Sequence, residues 1–157
     1  MRRVSLSRKA LSFFAIILAF LLLFLPVKAV EITVDDESHF YPPGSTIEIS
    51  YIHSVERSQV VEVLVANDSG FYAVEMKWKD FGAGLPEDIQ NLTDGFYIKK
   101  THDYLGKEFR YWFIPINHAN ITVNGSPVIV DSDGGRQVVV DFRIKRVPLI
   151  MKLIGRW

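Results

Sequence analysis

A histidine, a serine and two acidic residues lie within twelve positions of one another, and these side-chain types could bind or act on a polar ligand. The stretch Tyr51-Ile52-His53-Ser54-Val55-Glu56 is followed, after a short turn, by Glu62. If the first segment is a strand, Tyr51 and His53 share its apolar face, and Ser54 and Glu56 point the other way. We expect Glu62, in the next strand, to face the Ser54 and Glu56 side.

Two interpretations of this group stay open. One is a polar ligand site built from His53, Glu56 and Glu62, and the other is a hydrogen-bonded core histidine beside two solvated acids. A hydrolase that uses His53 with Glu56 or Glu62 as acid and base is a further alternative. A serine–histidine pair is disfavoured because adjacent side chains diverge in a strand, and the chain contains no Gly-x-Ser-x-Gly elbow.

The second candidate is the segment Phe81-Gly82-Ala83-Gly84-Leu85-Pro86. Gly82 and Gly84 permit positive φ angles and close backbone approach. The segment is not a dinucleotide fingerprint, because it lacks the third glycine and a strand–helix setting. It is either a shaped loop across the end of the domain or a loop whose amides hold an anionic group.

Metal and cofactor chemistry find little support in the sequence. Asp131-Ser132-Asp133-Gly134-Gly135 offers too few oxygen ligands for calcium and is typical of a hairpin turn. The four histidines are scattered without His-x-x-x-His spacing, and the chain contains no cysteine. We therefore predict no metal, no cofactor and no disulfide.

The elements that must position these residues are predicted to be strands. Apolar residues alternate over 47–53, 59–66, 71–78, 109–113 and 137–144. Turn sequences separate the segments, and Asn124-Gly125 is a strong hairpin signal. The sequence predicts an all-β fold: an antiparallel β-sandwich or small barrel of about eight or nine strands, with no helix after residue 30. Residues 80–95 form the longest irregular connection.

The N-terminus is predicted to direct the protein to or across a membrane. A basic start, an apolar run from Ala10 to Leu25, and Val27-Lys28-Ala29 form the three parts of a signal peptide. Residues 1–29 are either a signal peptide cleaved after Ala29 or an uncleaved anchor, residues 30–147 are the β domain, and residues 148–157 are a tail. In both cases the domain lies outside the cytoplasm, secreted or anchored on the outer face of the cytoplasmic membrane.

Charge is segregated along the chain although the formal net charge is zero. Residues 30–142 carry eight basic and 18 acidic residues, whereas residues 1–29 and 143–157 each carry five basic residues and no acid. An acidic body disfavours nucleic-acid binding. Basic, apolar ends suit an anionic membrane surface, so we expect residues 1–29 and 143–157 to contact it. The alternative for the tail is a strand that ends at Pro148, followed by a docked segment.

The two motifs, in this order and with Glu62 between them, resemble the domain-of-unknown-function family 1850. The matching positions are His53, Ser54, Glu56, Glu62, Phe81, Gly82, Gly84 and Pro86, within roughly residues 45 to 145. The resemblance implies a small exported protein, often encoded beside fused TRAP-type permeases of the TAXI class. Such permeases import small organic anions with the help of a soluble binding protein.

We therefore expect a non-enzymatic binding or accessory protein outside the cytoplasm. Its expected partners are a TRAP-type permease, the solute-binding protein of that permease, or both. The hydrolase described above and a purely structural envelope domain are the alternatives.

Overall fold

The computed structural model describes residues 8–81, 85–129 and 136–154. These residues form two α-helices, one short 3-10 helix and eleven strands. The helices are α1 (Arg8–Leu23), the 3-10 helix (Pro115–Asn117) and α2 (Leu149–Leu153). The strands are β1 (Pro26–Val34), β2 (Glu37–Tyr41), β3 (Thr46–Ile52), β4 (Gln59–Asn67), β5 (Gly70–Trp78), β6 (Asn91–Thr93), β7 (Phe96–Gly106), β8 (Glu108–Phe113), β9 (Asn120–Val123), β10 (Ser126–Ile129) and β11 (Val138–Pro148).

The strands make two open antiparallel sheets. The four-stranded sheet has the order β2-β1-β11-β8, and the seven-stranded sheet has the order β10-β9-β3-β4-β5-β7-β6. The sandwich prediction is therefore confirmed at the level of two antiparallel sheets, whereas the barrel alternative is wrong because neither sheet closes. The predicted strand number is too low for the described residues, and β6 is an example of a strand too short to show alternation in the sequence.

Local sequence explains the turn between β9 and β10. The Asn124-Gly125 hairpin is confirmed: it joins β9 to β10, and its residues have φ angles of 51° and 79°. These positive angles are those of a type I′ turn, which asparagine and glycine tolerate.

The prediction of no helix after residue 30 is wrong for α2 and the 3-10 helix, because elements of five and three residues are too short to show a helical period.

The main core fills the space between the sheets. Strand alternation turns one face of each strand inward, and these faces meet in a cluster rich in aromatic and β-branched side chains. Its largest fully buried members are Phe71, Phe142, Ile32, Ile47, Ile49, Leu64 and Ile121. The rings of Phe109 and Phe142 stack at 4.6 Å, and Phe71 meets Phe109 edge-on at 5.0 Å.

The N-terminal helix α1 lies outside this core. Its apolar side chains are exposed along its length, and it leads directly into β1 through Phe24 and Leu25. None of the helices in the described residues is both long enough and apolar enough to cross a membrane. The predicted cleavage point after Ala29 lies inside β1.

Candidate functional site

Strand register places Glu62 on the inner face of the seven-stranded sheet. In the β3–β4 pair, Ile49 lies opposite Glu62 and Tyr51 lies opposite Val60, so all four share one face. The expectation that Glu62 faces the Ser54 and Glu56 side is wrong. Both faces of β4 carry apolar residues, and Glu62 lies on the face whose Leu64 and Ala66 enter the main core.

The Glu62 carboxylate accepts hydrogen bonds from two tyrosines. The Tyr51 hydroxyl donates to Oε1 at 2.8 Å, and the Tyr111 hydroxyl donates to Oε2. Tyr111 lies on β8, so this group joins the four-stranded sheet to the seven-stranded one. Among the described residues, no lysine, arginine or histidine forms a salt bridge with Glu62.

Burial keeps both phenols protonated. It raises the pKa of Tyr51 and of Tyr111 well above the usual value of 10.0, and the negative charge of Glu62 raises them further. The phenols are therefore fixed as donors and the carboxylate as the acceptor. Tyr111 was absent from the sequence-predicted site. The available signal was a hydroxyl on an otherwise apolar strand face, since a buried hydroxyl requires a partner.

His53 belongs to a closed turn. The His53 amide donates to the Ser58 carbonyl at 2.8 Å, and the Arg57 amide donates to the His53 carbonyl at 2.9 Å. The imidazole Nδ1 accepts from the Glu56 amide at 3.3 Å. In the described part of the chain, no hydrogen bond joins this imidazole to the carboxylate of Glu56 or Glu62. Ser54 is exposed on the same turn.

A second, smaller core lies beside the Tyr51–Glu62 pair. One row of side chains crosses four neighbouring strands of the sheet. It consists of Val60 on β4, Trp78 on β5, Tyr97 on β7 and Leu92 on β6, each opposite the next. Trp78 is fully buried, and Leu85 packs on it and on Val60. The Trp78 indole Nε1 is buried and has no acceptor among the described residues.

Phe81 and Leu85, the described residues on either side of the two glycines of the second motif, pack against this row. The Phe81 ring lies 4.4 Å from the Tyr97 ring and 6.3 Å from the Trp78 ring, measured between centroids. Pro86 is half-buried next to Leu85. Gly82 and Gly84, with the predicted anion-holding amides, lie outside the described residues, as does the segment Asp131 to Gly135.

Tyr51 is the residue at which the predicted site elements meet. Its side chain packs against both the main core and the smaller core, and its hydroxyl binds Glu62. Tyr51 of the first motif, Glu62, and the described residues Phe81 and Leu85 of the second motif therefore lie close to one another, whereas His53, Ser54 and Glu56 are not brought to this point. Phe81 and Leu92 both lie next to Tyr97 and are 47% and 59% exposed. We call these two side chains, with Tyr97, the motif surface.

No metal-binding arrangement is visible in residues 8–81, 85–129 and 136–154. Nowhere in these ranges do three or more His, Cys, Asp or Glu side chains group in a way that could hold an ion. Glu62, Tyr51 and Tyr111 instead form a group of polar side chains that satisfy one another by hydrogen bonds.

The sequence matches a family described as Domain of unknown function (DUF1850) over residues 47–128, which is 82 of its 157 residues. The chain belongs to this family. Searches among curated proteins and among solved structures found no match.

The matched DUF1850 segment runs from β3 to β10. It contains Tyr51, Glu62 and Tyr111, and it contains both motifs. It leaves out β1, β2 and β11, the other three strands of the sheet to which β8 belongs. The DUF1850 segment therefore supplies the whole candidate site, and the flanking strands complete the sheet that carries Tyr111.

Proposed function

We propose that this DUF1850 protein is a non-enzymatic accessory module that acts outside the cytoplasm beside a TRAP-type permease of the TAXI class. In this role the motif surface contacts the permease or its solute-binding protein. The transported solutes are small organic anions. The link to transport rests on the family resemblance, and the choice of the contacting surface rests on the geometry around Tyr51.

The observation that carries the proposal is the convergence of the two motifs on Tyr51. The buried part of the site is rigid, because Tyr51 and Tyr111 fix the Glu62 carboxylate from both sheets. The outer part exposes the Phe81 ring and the Leu92 side chain, which both lie next to Tyr97. Rigidly supported aromatic and aliphatic side chains are the usual energetic anchors of protein interfaces.

The geometry gives the acid–base alternative less support. A general base needs a free lone pair directed at a substrate. Both Glu62 carboxylate oxygens accept phenol hydrogen bonds, and the His53 Nδ1 accepts a backbone amide. Two of the three side chains that the hydrolase alternative names, His53 and Glu62, are thus already engaged in hydrogen bonds within the fold, which favours binding over catalysis.

Location outside the cytoplasm is part of the same proposal. The apolar run of α1 follows a basic N-terminus, and the body between residues 30 and 142 is acidic. A segment of this kind directs the following residues to the far side of the membrane when its basic flank stays inside. The domain would then lie where the extracytoplasmic binding proteins of such permeases lie.

Co-purification tests the proposal. The full-length chain, tagged at its C-terminus, is extracted from native membranes in mild detergent and captured. We expect the permease or its solute-binding protein among the captured proteins, and a several-fold lower yield with the Phe81→Ala, Leu92→Ala double variant. Trp112→Ala is the matched control, because Trp112 is 64% exposed on β8 in the other sheet. Repeated capture without either partner would contradict the proposal.

A further inference from the structure

The residues before the predicted cleavage point belong to the folded domain. Pro26 to Ala29 occupy the first four positions of β1 and pair with Pro148 to Lys145 of β11. Ala29 is fully buried, and the Lys28 ammonium donates to the Asp68 carbonyl at 2.8 Å. Cleavage after Ala29 would therefore remove nearly half of a strand that has a partner along its whole length.

The two helices leave the sandwich at one place. β1 and β11 are antiparallel neighbours, so the start of β1 lies beside the end of β11, at the Pro26–Pro148 pair. The Leu149 amide donates to the Leu25 carbonyl at 3.0 Å. The two helices also contact each other. α1 and α2 thus form one joined unit at this end of the domain.

The surface of this unit is apolar. Nine side chains of α1 are at least 40% exposed, and they point in all directions around the helix because consecutive residues are about 100° apart. They are Leu11, Phe13, Phe14, Ile16, Ile17, Leu18, Phe20, Leu21 and Leu22. Beside them, Leu153 and Ile154 at the end of α2 are 64% and 61% exposed. An apolar surface on every side of a helix fits lipid better than a single protein groove.

Positive charge surrounds the base of the unit. Lys28 and Arg146 lie opposite each other on β1 and β11, Lys145 is the next residue, and Lys152 lies on α2; all four are exposed. Residues 8–30 and 142–154 contain no acidic residue. Glu31, which follows the first of these ranges in β1, is buried and accepts a bond from Lys145 at 2.7 Å, and Asp68 lies beside Lys28. A cationic collar around exposed apolar side chains is complementary to anionic lipid headgroups.

We propose that α1 is retained rather than cleaved after Ala29, and that α1 and α2 together insert into an anionic lipid bilayer. Of the collar residues, Lys28, Arg146 and Lys152 contact the headgroups, whereas Lys145 is held by Glu31. This inference deepens the proposed location at a membrane. It requires no permease, so vesicles of pure lipid test it separately from the proposed function.

The mass of the mature chain tests retention. The full-length protein is expressed with its own N-terminus, extracted from membranes and measured by intact mass spectrometry. We expect a chain that still contains α1. A chain that begins at Val30, or at any residue after Leu23, overturns the proposal.

Lipid contact by α2 can be measured with single cysteines, because the chain contains none. Leu153→Cys and Ile154→Cys are labelled with a fluorophore in the full-length chain. The chains are reconstituted into vesicles of phosphatidylcholine and phosphatidylglycerol that carry lipid-attached nitroxide quenchers. Trp112→Cys is the control, because this side chain is equally exposed on β8. We expect at least threefold more quenching at 153 or 154 than at 112, and equal quenching at all three positions overturns the proposal.

The collar is tested by removing the charge of two of its residues, one shortly before α2 and one on it. In the labelled background, Arg146→Gln and Lys152→Gln are introduced together. Each basic residue near an anionic surface strengthens binding by about fivefold, so the double variant is expected to lose most of the quenching at position 153. Replacing phosphatidylglycerol with phosphatidylcholine should have the same effect. If quenching at position 153 is unchanged both by the double substitution and by the exchange of lipid, the proposed headgroup contact is overturned.

Discussion

Tyr111 of the four-stranded sheet donates its hydroxyl hydrogen to Glu62 of the seven-stranded sheet. The two residues are 49 positions apart in the chain, and the bond crosses the core between the sheets. Tyr51 completes the group from β3. The carboxylate is therefore bound by donors from both layers of the sandwich, and the loss of any of the three side chains leaves partly buried polar atoms without partners.

Removal of the carboxylate is expected to weaken the fold. Glu62→Ala leaves two phenol donors unsatisfied, each at a cost of about 1–3 kcal/mol, and we expect a loss of about 2–4 kcal/mol in the free energy of unfolding. Glu62→Gln keeps one acceptor and should cost less. Urea unfolding followed by tryptophan fluorescence measures both. Glu48→Ala, an exposed acid on the same sheet, is the control and should stay within about 0.5 kcal/mol. A Glu62→Ala variant as stable as this control would contradict the bridging role.

Alkaline pH is expected to destabilise the protein through the same tyrosines. The pKa of Tyr51 and of Tyr111 is raised in the folded state, so above pH 10 the unfolded chain loses phenol protons that the folded chain keeps. Stability is complete below pH 10 and falls as the pH rises, by about 1.4 kcal/mol per pH unit for each such tyrosine.

The slope of the free energy of unfolding against pH identifies the tyrosines responsible for this loss. In urea unfolding at pH 10 to 11.5, Tyr111→Phe should reduce the pH dependence by the contribution of one tyrosine. Tyr104→Phe is the comparison, because Tyr104 is 54% exposed. An unchanged slope in Tyr111→Phe would show that Tyr111 ionises normally in the folded protein.

Local patterns in the sequence were sufficient for much of the fold. Alternation located β3, β4, β5 and β8 to within one or two residues, because a two-residue period is a direct record of which face is buried. Asn124-Gly125 specified its hairpin because few residues tolerate two successive positive φ angles.

The candidate site was only partly predictable. The sequence identified Glu62 and both motifs, but not Tyr111, since alternation gives the face of a strand and not the strand that lies across the core. It also misplaced the direction of Glu62, because β4 is apolar on both faces and alternation alone does not say which of the two faces the core. The cross-sheet contact depends on sheet order, which no local pattern records.

Gly70 should tolerate no side chain. Its φ is 148°, and an added Cβ would overlap the Gly106 carbonyl oxygen and lie 2.5 Å from a ring carbon of Tyr104. We expect Gly70→Ala to lose about 3 kcal/mol or more in the free energy of unfolding, from backbone strain and overlap together. Gly44→Ala is the matched control, because Gly44 has a φ of 95° with nothing within 4 Å, and strain alone should cost about 1–2 kcal/mol. Equal losses in the two variants would contradict the close approach at Gly70.

Lys145 is expected to contribute more to the free energy of unfolding than its neighbour Arg146. Glu31 is 3% exposed, and Lys145 is its ion-pair partner at 2.7 Å. Lys145→Ala leaves a buried carboxylate without that partner. Because the lysine itself is about half exposed, we expect a loss of about 1–3 kcal/mol, below the range for a fully buried pair. Arg146→Ala should change the free energy of unfolding by less than about 0.5 kcal/mol. Similar losses in the two variants would show that water replaces the lysine.

Site-specific photo-crosslinking tests the central claim most directly. A benzoylphenylalanine residue replaces Phe81 or Leu92 on the motif surface, or Trp112 on the opposite sheet, in the full-length chain within native membranes. We predict that irradiation joins the chain to the permease or its solute-binding protein from positions 81 and 92 and not from position 112. Adducts with neither partner from positions 81 and 92, or equal adducts from position 112, would contradict the proposal that the motif surface is the contact.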